Sequence, residues 1–398
     1  MLTLSQPPGD PAFLRSPWAF YDRLRAAGSV ALWQEFGLPV SARAATVGVI
    51  LRDRRLGRAP PAGMAPPVPD HLAAFHAVED HSMLELEPPA HTRIRGLVNR
   101  AFTSVRVAAL APFIADRAAA LAAALPEGPV DLLPAFAERL PIAVIARLLG
   151  IPEAEGPQLL RWSHAMVGMY QARRDHAVEL AADRAAADFA AFLRDLLAQR
   201  RRGSGQDDLL SALLAATEDG AEGAARLSEA EIVSTVILLL NAGHEATAHA
   251  IGLAVAHLID RPDRAALLAP GQVAATVEEL LRLDPPLHLF WRWVHDEIEI
   301  GGHLFRRGDR VGALLAAANR DPQAWDRPAR LDPGRVARPH HAFGAGLHFC
   351  VGAPLARLEL QIALPALFAA RPGLRLAGRP QLADLYPFRG YRRLMVAG

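Results

Sequence analysis

The sequence predicts a mainly α-helical fold with small β-sheets, and three features of its 398 residues support this prediction. A capping box formed by Ser228 and Glu231 begins the longest helix, which runs to about Asp260. At about 1.5 Å per residue this helix would be roughly 45 Å long, enough to cross a whole domain. An Ala-rich helical pair occupies residues 162–197, and short strands separated by turns follow residue 285. The long helix is therefore expected at the centre of the core.

The remaining elements follow in chain order. Residues 13–36 predict a helix and then short strands, and five prolines between Arg58 and Asp70 predict a loop. Helical periodicity returns in residues 128–152, which carry no chemistry and are predicted to be scaffold. Residues 199–206 are hydrophilic and contain Gly and Ser, so they predict a joint between helices.

The composition favours one large core. Hydrophobic residues make up 51% of the chain and no low-complexity linker interrupts it, so residues 1–398 are predicted to be a single domain. Its β-containing regions are predicted at about residues 30–55, 286–315 and 375–398. The formal net charge is +1, which gives no overall basic field for nucleic acid. All 43 basic residues are arginine, which excludes a phosphate-binding Walker lysine and a Schiff-base lysine.

Targeting signals are not visible in the sequence. The first residues lack a basic region followed by an apolar core, which predicts neither a signal peptide nor an N-terminal anchor. The apolar run from Ile232 to Ile259 contains Asn241, Glu245 and three histidines, which a bilayer would accommodate only at high cost. We therefore expect a cytoplasmic protein with no membrane contact.

The single cysteine, Cys350, lies in a setting that suits a metal-bound thiolate. A lone cysteine in an intracellular protein is usually a small buried hydrophobe, and this remains the ordinary alternative. However, Gly344, Gly346 and Gly352 surround it and allow the backbone to approach a large flat ligand. The Ala/Leu-rich residues that follow predict a helix, so the cysteine would precede a helix N-terminus, which favours an anion.

Residues Phe343 to Arg357 resemble the haem-binding signature of the cytochrome P-450 superfamily, Phe-Gly-x-Gly-x-His-x-Cys-x-Gly-x-x-Leu-Ala-Arg, and match it at every specified position. The resemblance implies a P-450 fold with the long central helix over a haem, expected to be haem b (iron protoporphyrin IX). It also implies that Cys350 ligates the iron, with the thiolate promoting O–O cleavage on the opposite face. The other cofactor-binding residues that it implies are His91, Arg95, Ala242, Arg292, Phe343, His348 and Gly352.

Two of these residues come from the segment LELEPPAHTRIR, which resembles the family's Asp-Pro-Pro-x-His-Thr-x-Leu-Arg pattern with Glu87 where aspartate is usual. His91 and Arg95 are four residues apart and share a helical face, where two donors can hold one carboxylate. Without the resemblance this pair would be an ordinary solvated face. Within it, both residues and His348 are haem-propionate partners, as is Arg292.

The middle of the long helix, Ala242 to Thr247, resembles the family's oxygen-binding groove. The resemblance implies that Gly243 leaves room for dioxygen and that Glu245 is the acidic member of the motif. Ala246 is a departure, because it occupies the position of the threonine that usually orders the proton-delivering water. Thr247 is the next residue along, and Ala246 and Thr247 are therefore both of catalytic interest.

Two further groups complete the resemblance. Glu279, Arg282 and Arg335 are implied to form a buried structural ion cluster, although Glu-x-x-Arg alone is a weak signal. The substrate pocket is expected to include Met83, Leu84, Leu239, Leu287, His288, Leu289, Phe290 and Phe388. For any one of the loop residues in this set, a plain surface position is about as plausible.

The implied function is a haem-thiolate monooxygenase that oxidises a small apolar substrate with O2 and electrons from NAD(P)H. The sequence contains no flavin or iron–sulfur segment, so ferredoxin and ferredoxin reductase are expected partners, and the protein is expected to be a monomer. An acidic ferredoxin is predicted to dock near Arg100, Arg106, Arg335, Arg338, His340, His341 and Arg357. The alternatives are a non-catalytic haem sensor or carrier, which Ala246 favours, and a peroxide-driven or non-redox enzyme of the same fold.

Overall fold

A computed structural model describes residues 1–172, 174–203, 207–218 and 227–398. Helices dominate the described chain, as the sequence predicts. They are α1 (Pro11–Arg15), α2 (Trp18–Ala26), α3 (Ala44–Arg52), α4 (Ala73–Glu79), α5 (Ala90–Ala101), α6 (Ser104–Ala108), α7 (Ala111–Ala123), α8 (Arg139–Leu149), α9 (Gly156–Val167), α10 (His176–Arg202), α11 (Leu209–Glu218), α12 (Glu229–Leu258), α13 (Arg264–Leu267), α14 (Val273–Leu283), α15 (Leu315–Ala318) and α16 (Ala353–Ala370).

The strands are short and form small sheets. They are β1 (Thr3–Leu4), β2 (Ala31–Trp33), β3 (Leu38–Ser41), β4 (Leu56–Gly57), β5 (Val130–Asp131), β6 (Leu289–Val294), β7 (Ile298–Ile300), β8 (His303–Phe305), β9 (Arg310–Leu314), β10 (Arg375–Leu376), β11 (Gln381–Leu382), β12 (Tyr391–Arg393) and β13 (Met395–Ala397). The largest sheet has the order β1-β2-β3-β9-β6-β4, and the others are β10-β13-β5, β11-β12 and β7-β8.

The largest sheet joins the beginning of the chain to its later third. β3 pairs parallel with β9 (Val40 opposite Gly312), and β6 pairs antiparallel with β9 (Leu289 opposite Leu314). The N-terminal strands are thereby fixed against the strands that follow α14. This arrangement brings residues that are distant in sequence next to one another.

Helix α12 is the long central helix. Its capping box is formed as predicted: Ser228 Oγ accepts from the Glu231 amide at 3.2 Å, and the Glu231 carboxylate accepts from the Ser228 amide at 2.8 Å. Both bonds satisfy amides that have no partner within the helix. The helix packs on α8, α9 and α16, so most of its length lies in the core.

A separate aromatic cluster covers the N-terminal end of the largest sheet. Phe20 lies 4.8 Å from Trp33 between ring centroids, and Tyr386 from the C-terminal part packs 5.3 Å from Trp33. Offset and edge-to-face pairs of this kind add to the apolar burial. The cluster therefore ties the C-terminal segment to the first helices.

Helix α10 is longer than the sequence predicts. It continues to Arg202, because its Ala- and Leu-rich face packs on α9 and α4. The predicted joint at residues 199–206 therefore begins later, and its residues 204–206 lie outside the described residues.

Helix α16 is apolar and long enough to cross a membrane by length and composition alone. It packs on α7, α12 and α14 and contributes Leu360, Leu364 and Leu367 to the core.

Candidate active site around Cys350

A tight loop positions Cys350 before α16. The Cys350 amide donates to the Phe343 carbonyl at 3.0 Å, and a 3-10 turn runs from Gly346 to His348. Gly346 has φ of 72°, and a Cβ at this position would collide with the backbone oxygen of Leu51 in α3. Glycine is therefore required by both the conformation and the close approach. The loop is held against the N-terminal part of the chain.

The surroundings of Cys350 act on its thiol in opposite directions. Desolvation by the dense protein around the sulfur raises the pKa of Cys350, although the residue is accessible to solvent on one side. The amides of Gly352 and Ala353 and the charge of Arg95 act to lower it. The first turn of α16 thus presents its free amides to the sulfur, which favours a thiolate bound to a cation.

Helix α5 places two hydrogen-bond donor side chains, His91 and Arg95, beside the cysteine loop. The ring of His91 lies 4.6 Å from that of His348, and Arg95, one turn later, donates to the Phe349 carbonyl. Burial lowers the pKa of His91 to about 4, and the neighbouring His348 and Arg95 lower it further. The structure therefore brings His91, Arg95 and His348 together, as the sequence predicts.

Glu87 and Arg58 belong to the same region, and sequence reasoning assigned no such role to them. The Glu87 carboxylate accepts from the Arg58 amide and lies 3.2 Å from His348 Nε2. Arg58 packs over Phe290 at 5.3 Å, and Arg292 packs over the same ring at 5.8 Å. Burial lowers the pKa of Arg292 to about 9, and the charge of Arg58 acts in the same direction. The sequence signal for Glu87 was its place in the motif, at the position where the family usually has aspartate.

These residues fit a cofactor with an anionic rim. His91 is fully buried, and neither of its ring nitrogens has a hydrogen-bond partner among the described residues. A buried polar group without a partner is costly, so it points to a ligand that would accept from it. Arg95 and the buried Arg292 supply positive charge nearby, and Cys350 offers a sulfur atom as a ligand. This donor set suits a haem with two propionates.

The central helix presents its groove residues on different faces. Ala242 is exposed and Ala246, four residues later, is half-buried, so both lie on one face of α12. Gly243 lies against α8, where an added Cβ would be 3.4 Å from Ile145 Cδ1. Thr247 is only 4% exposed. Its side chain therefore does not share the accessible face of Ala242 and Ala246.

Glu245 is surrounded by histidines. Its Oε1 lies 3.2 Å from His249 Nε2, and its Oε2 lies 3.4 Å from His164 Nε2 and 3.7 Å from His244 Nδ1. Burial opposes ionisation of Glu245, but the contact with His249 and the charges of the three histidines outweigh it and lower its pKa to about 2. His249 could have been found from its i,i+4 spacing, whereas His164 comes from α9 and leaves no local signal.

The ion cluster implied by the sequence is formed. Arg282 donates to both oxygens of Glu279, at 2.7 and 2.8 Å, and Arg335 Nε donates to Glu279 Oε1 at 3.1 Å. The Asp332 amide adds another donor to the same oxygen at 3.1 Å. Because Glu279 and Arg282 are buried, these bonds replace the solvation that both charges lose.

The pocket candidates divide between two environments. Met83 and Leu239 are buried in the main core, and Leu84, next to Met83 in sequence, is half-buried. Leu287 and Phe388 form an isolated β-bridge, and both are half-buried. These residues come from four parts of the chain.

His288 and Leu289 are corrected by the structure. His288 is buried in the aromatic cluster, where its Nδ1 lies 2.8 Å from the Tyr21 hydroxyl. Leu289 also belongs to that cluster, whereas Phe290 lies under Arg58. Leu289 and Phe290 are successive residues of β6 and point to opposite faces, so they cannot both line one pocket.

The cations predicted to dock an electron donor are only partly available. Glu278 lies 3.2 Å from His340 Nε2 and 2.9 Å from Arg357 Nη2. Arg338 and Arg100 are exposed. The members that are buried or paired are Arg106, Arg335, His340, His341 and Arg357. Exposed charge near the loop is therefore smaller than the sequence suggested.

Comparison with known proteins identifies the family of this chain. The family profile described as cytochrome P450 matches residues 171–268 and 273–370. The chain is 40% identical to vitamin D(3) 25-hydroxylase of Pseudonocardia autotrophica over 312 residues, 77% of this chain and 75% of that protein. It is also 40% identical to 6-deoxyerythronolide B hydroxylase of Saccharopolyspora erythraea over 293 residues, 73% of this chain and 70% of that protein.

A solved structure of P450BioI, in complex with an acyl carrier protein ligated to hexadec-9Z-enoic acid, has a similar fold. Its TM-score is 0.89 at 31% identity, and the match covers 98% of this chain and 100% of that one. The structural match extends over nearly the whole chain, and the second range of the family profile includes Cys350. The chain belongs to the cytochrome P450 family and is a haem-thiolate monooxygenase.

Proposed function

We propose that this cytochrome P450 oxidises a small apolar organic substrate with O2, using haem b and electrons passed from NAD(P)H through ferredoxin reductase and ferredoxin. The observation that carries the proposal is the convergence of Cys350, His91, Arg95, Arg292 and His348 on one site. Cys350 would hold the haem iron, and the four other residues would hold the propionates. The bound haem would supply thiolate-supported oxygen activation.

The proposed substrate class rests on apolar side chains and on the relatives. Leu287, Phe290 and Phe388 are half-buried apolar residues; Phe290 lies beside Arg58 and Arg292, and Leu287 pairs with Phe388 in a β-bridge. The similar proteins include vitamin D(3) 25-hydroxylase and 6-deoxyerythronolide B hydroxylase, and P450BioI was solved in complex with an acyl carrier protein ligated to hexadec-9Z-enoic acid. We therefore place terpenoid, fatty acyl and polyketide-like compounds first.

Proton delivery is proposed to differ from the usual arrangement. Ala246 carries no hydroxyl, and Thr247 is buried on another face, since one residue turns a helix by about 100°. We expect a substrate group or a water held by Glu245 to supply the proton. Thr247→Ala should then change coupling little, and Ala246→Thr should raise the fraction of electrons that reach product. Loss of coupling in Thr247→Ala alone would contradict this route.

The electron donor is proposed to be an acidic ferredoxin that docks at Arg100 and Arg338, the cations that stay exposed on the cysteine side. Rim charges of this kind act mainly on the rate of encounter and are screened by salt. We also propose that the protein is a cytoplasmic monomer.

The decisive experiment compares product formation with reduced ferredoxin, with peroxide alone and without either. The high-spin shift of the haem spectrum first selects compounds that bind. Ferredoxin-dependent product supports the proposal, and peroxide-only product favours the peroxide-driven alternative. Binding without product under all conditions favours the sensor alternative. In parallel, Cys350→Ser should lose the long-wavelength Soret band of the reduced carbon monoxide complex, and retention of that band would overturn Cys350 as the ligand.

A further inference from the structure

A second group of metal-ligand atoms lies between α9 and the central helix α12. It consists of His164 from α9 and of His244 and Glu245 from α12, whose ligand atoms all lie within 4.8 Å of one another. Glu245 Oε2 is the shared neighbour, at 3.4 Å from His164 Nε2 and 3.7 Å from His244 Nδ1. Two helices that are separate in sequence therefore direct three donors to one point.

Several of these donors lack the partner that a buried polar atom needs. His244 is fully buried, and within the described part of the chain both of its ring nitrogens and Glu245 Oε2 have no hydrogen-bond partner. A buried imidazole without any hydrogen bond is costly, and so is a buried carboxylate oxygen. An ion between these residues would satisfy Glu245 Oε2 and the ring nitrogen of His244 that faces it. A simple ion network would not, because the 3.7 Å separation exceeds a hydrogen bond.

The spacing fits a small tetrahedral cation. Zinc binds nitrogen and oxygen ligands at about 2.0–2.2 Å, so the edge of its tetrahedron is about 3.4 Å. The two measured distances to Glu245 Oε2 are 3.4 and 3.7 Å. Two histidines and one glutamate are also a donor set that zinc uses, with one position left for water. We propose that His164, His244 and Glu245 form a Zn²⁺ site.

Access agrees with this assignment. The side chain of His164 is 45% exposed, so an ion can reach the site from solvent at this ligand. His249, 3.2 Å from Glu245 Oε1, would orient the carboxylate.

A surface cluster in the same protein serves as the comparison. His71, His176 and Glu179 also lie within 4.8 Å of one another, but His71 Nε2 is already 2.8 Å from Glu179 Oε2, a hydrogen bond. The side chain of His176 is largely exposed. His71 and Glu179 are hydrogen-bonded to each other and His176 is open to water, so the geometry of this cluster gives no comparable reason for an ion. It must nevertheless be removed before zinc binding is counted.

Zinc at this site would have a consequence for turnover, and this second step rests on the proposed function. Glu245 would be held toward His164 and could no longer hold the water that delivers protons. Micromolar zinc would then slow product formation and divert electrons to peroxide, without changing the haem spectrum. Removing the exposed ligand His164 should relieve this inhibition.

The experiment uses haem-loaded protein in a His71→Ala, His176→Ala background. Calorimetric titration with Zn²⁺ should show saturable binding of about one ion per chain, and His164→Ala should weaken it roughly tenfold or more. His303→Ala, a histidine on β8 far from the cluster in sequence, is the matched control and should bind as the background does. Because His164 is exposed, its variant should fold, which circular dichroism checks.

The outcomes separate the two steps. Absence of saturable binding, or binding by His164→Ala equal to that of the background, overturns the zinc site. Binding that His164→Ala weakens establishes the site whether or not the enzyme turns over. Zinc binding with unchanged product formation overturns the inhibition alone. Failure to form product even without zinc counts against the proposed function and leaves the binding result intact.

Discussion

Truncation of Arg282 is expected to be among the most destabilising single changes in this protein. The side chain is 1% exposed and donates to both oxygens of Glu279. It also donates to the carbonyls of Asn319 at 2.7 Å, Pro328 at 2.9 Å and Arg330 at 3.2 Å. Arg282→Ala therefore leaves a buried carboxylate with fewer donors and three carbonyl groups without this partner.

The magnitude follows from what remains around Glu279. Removing one partner of a buried ion pair costs about 3–5 kcal/mol. Glu279 keeps Arg335 and the Asp332 amide, both at 3.1 Å, so we expect Arg282→Ala to cost about 3 kcal/mol, the lower end of that range. Arg335→Ala leaves the two-bond contact with Arg282 intact, and its side chain is 12% exposed. We expect that change to cost about 1.5 kcal/mol, the lower end for a hydrogen bond to a charged group, because the other bonds of Arg335, to the carbonyls of Asp326, Arg327 and Arg330, are exposed.

The assay is urea unfolding of the haem-loaded protein, followed by far-ultraviolet circular dichroism and by the Soret band. Coincidence of the two transitions justifies a free energy of unfolding from the midpoint and slope. Arg335→Ala serves as the matched control, since it removes a cation from the same carboxylate. If both variants cost the same, or if Arg282→Ala costs less than Arg335→Ala, the assignment of Arg282 as the principal partner is refuted.

Three further outcomes follow from individual contacts. Gly390→Ala should lower stability by about 1–3 kcal/mol, because its Cβ would collide with the His249 imidazole, whereas Gly271→Ala, in open space, should be nearly neutral in the same thermal melt. Burial, followed by the charge of a nearby arginine, lowers the pKa of His288 to about 3, below its value of about 6.5 in the unfolded chain. The neutral imidazole therefore contributes stability above about pH 6.5, and this contribution is lost as pH falls. Between neutral pH and pH 4.5, the free energy of unfolding should fall by about 2–3 kcal/mol more than it does in His288→Gln. Arg338→Glu should slow reduction by ferredoxin about three- to tenfold at low salt and less at high salt in stopped-flow traces, and an unchanged rate would argue against docking there.

Much of the cysteine loop was predictable because its motif is contiguous in sequence. Gly344, Gly352 and Cys350 act through neighbouring backbone, whereas the contacts of Gly346 with Leu51 and of His348 with Glu87 join distant parts of the chain. Local spacing also predicts the pair His91 and Arg95, which a single helical turn brings together. The capping box of α12 is likewise a contact within four residues. Sequence reasoning succeeded where chemistry and spacing coincide.

The parts that sequence could not supply depend on tertiary packing. The His164 contact with Glu245 joins two helices, and no spacing rule relates them. The sequence predicts that residues 287–290 all line the substrate pocket, but the alternation of side chains along β6 sends Leu289 into the aromatic cluster. Arg58 reaches the site from a loop whose prolines predicted only irregular structure. In each case the missing information is which face meets which neighbour.

The contact between Gly346 and Leu51 limits how this chain can be recombined with its relatives. The loop that carries Cys350 lies in the part that the family profile matches, residues 171–268 and 273–370, whereas Leu51 lies well before it. A chimaera with a foreign N-terminal segment would press a different backbone against a glycine that has no room to move. Successful crossovers should therefore keep α3 and the cysteine loop from the same parent, and exchange the intervening helices instead.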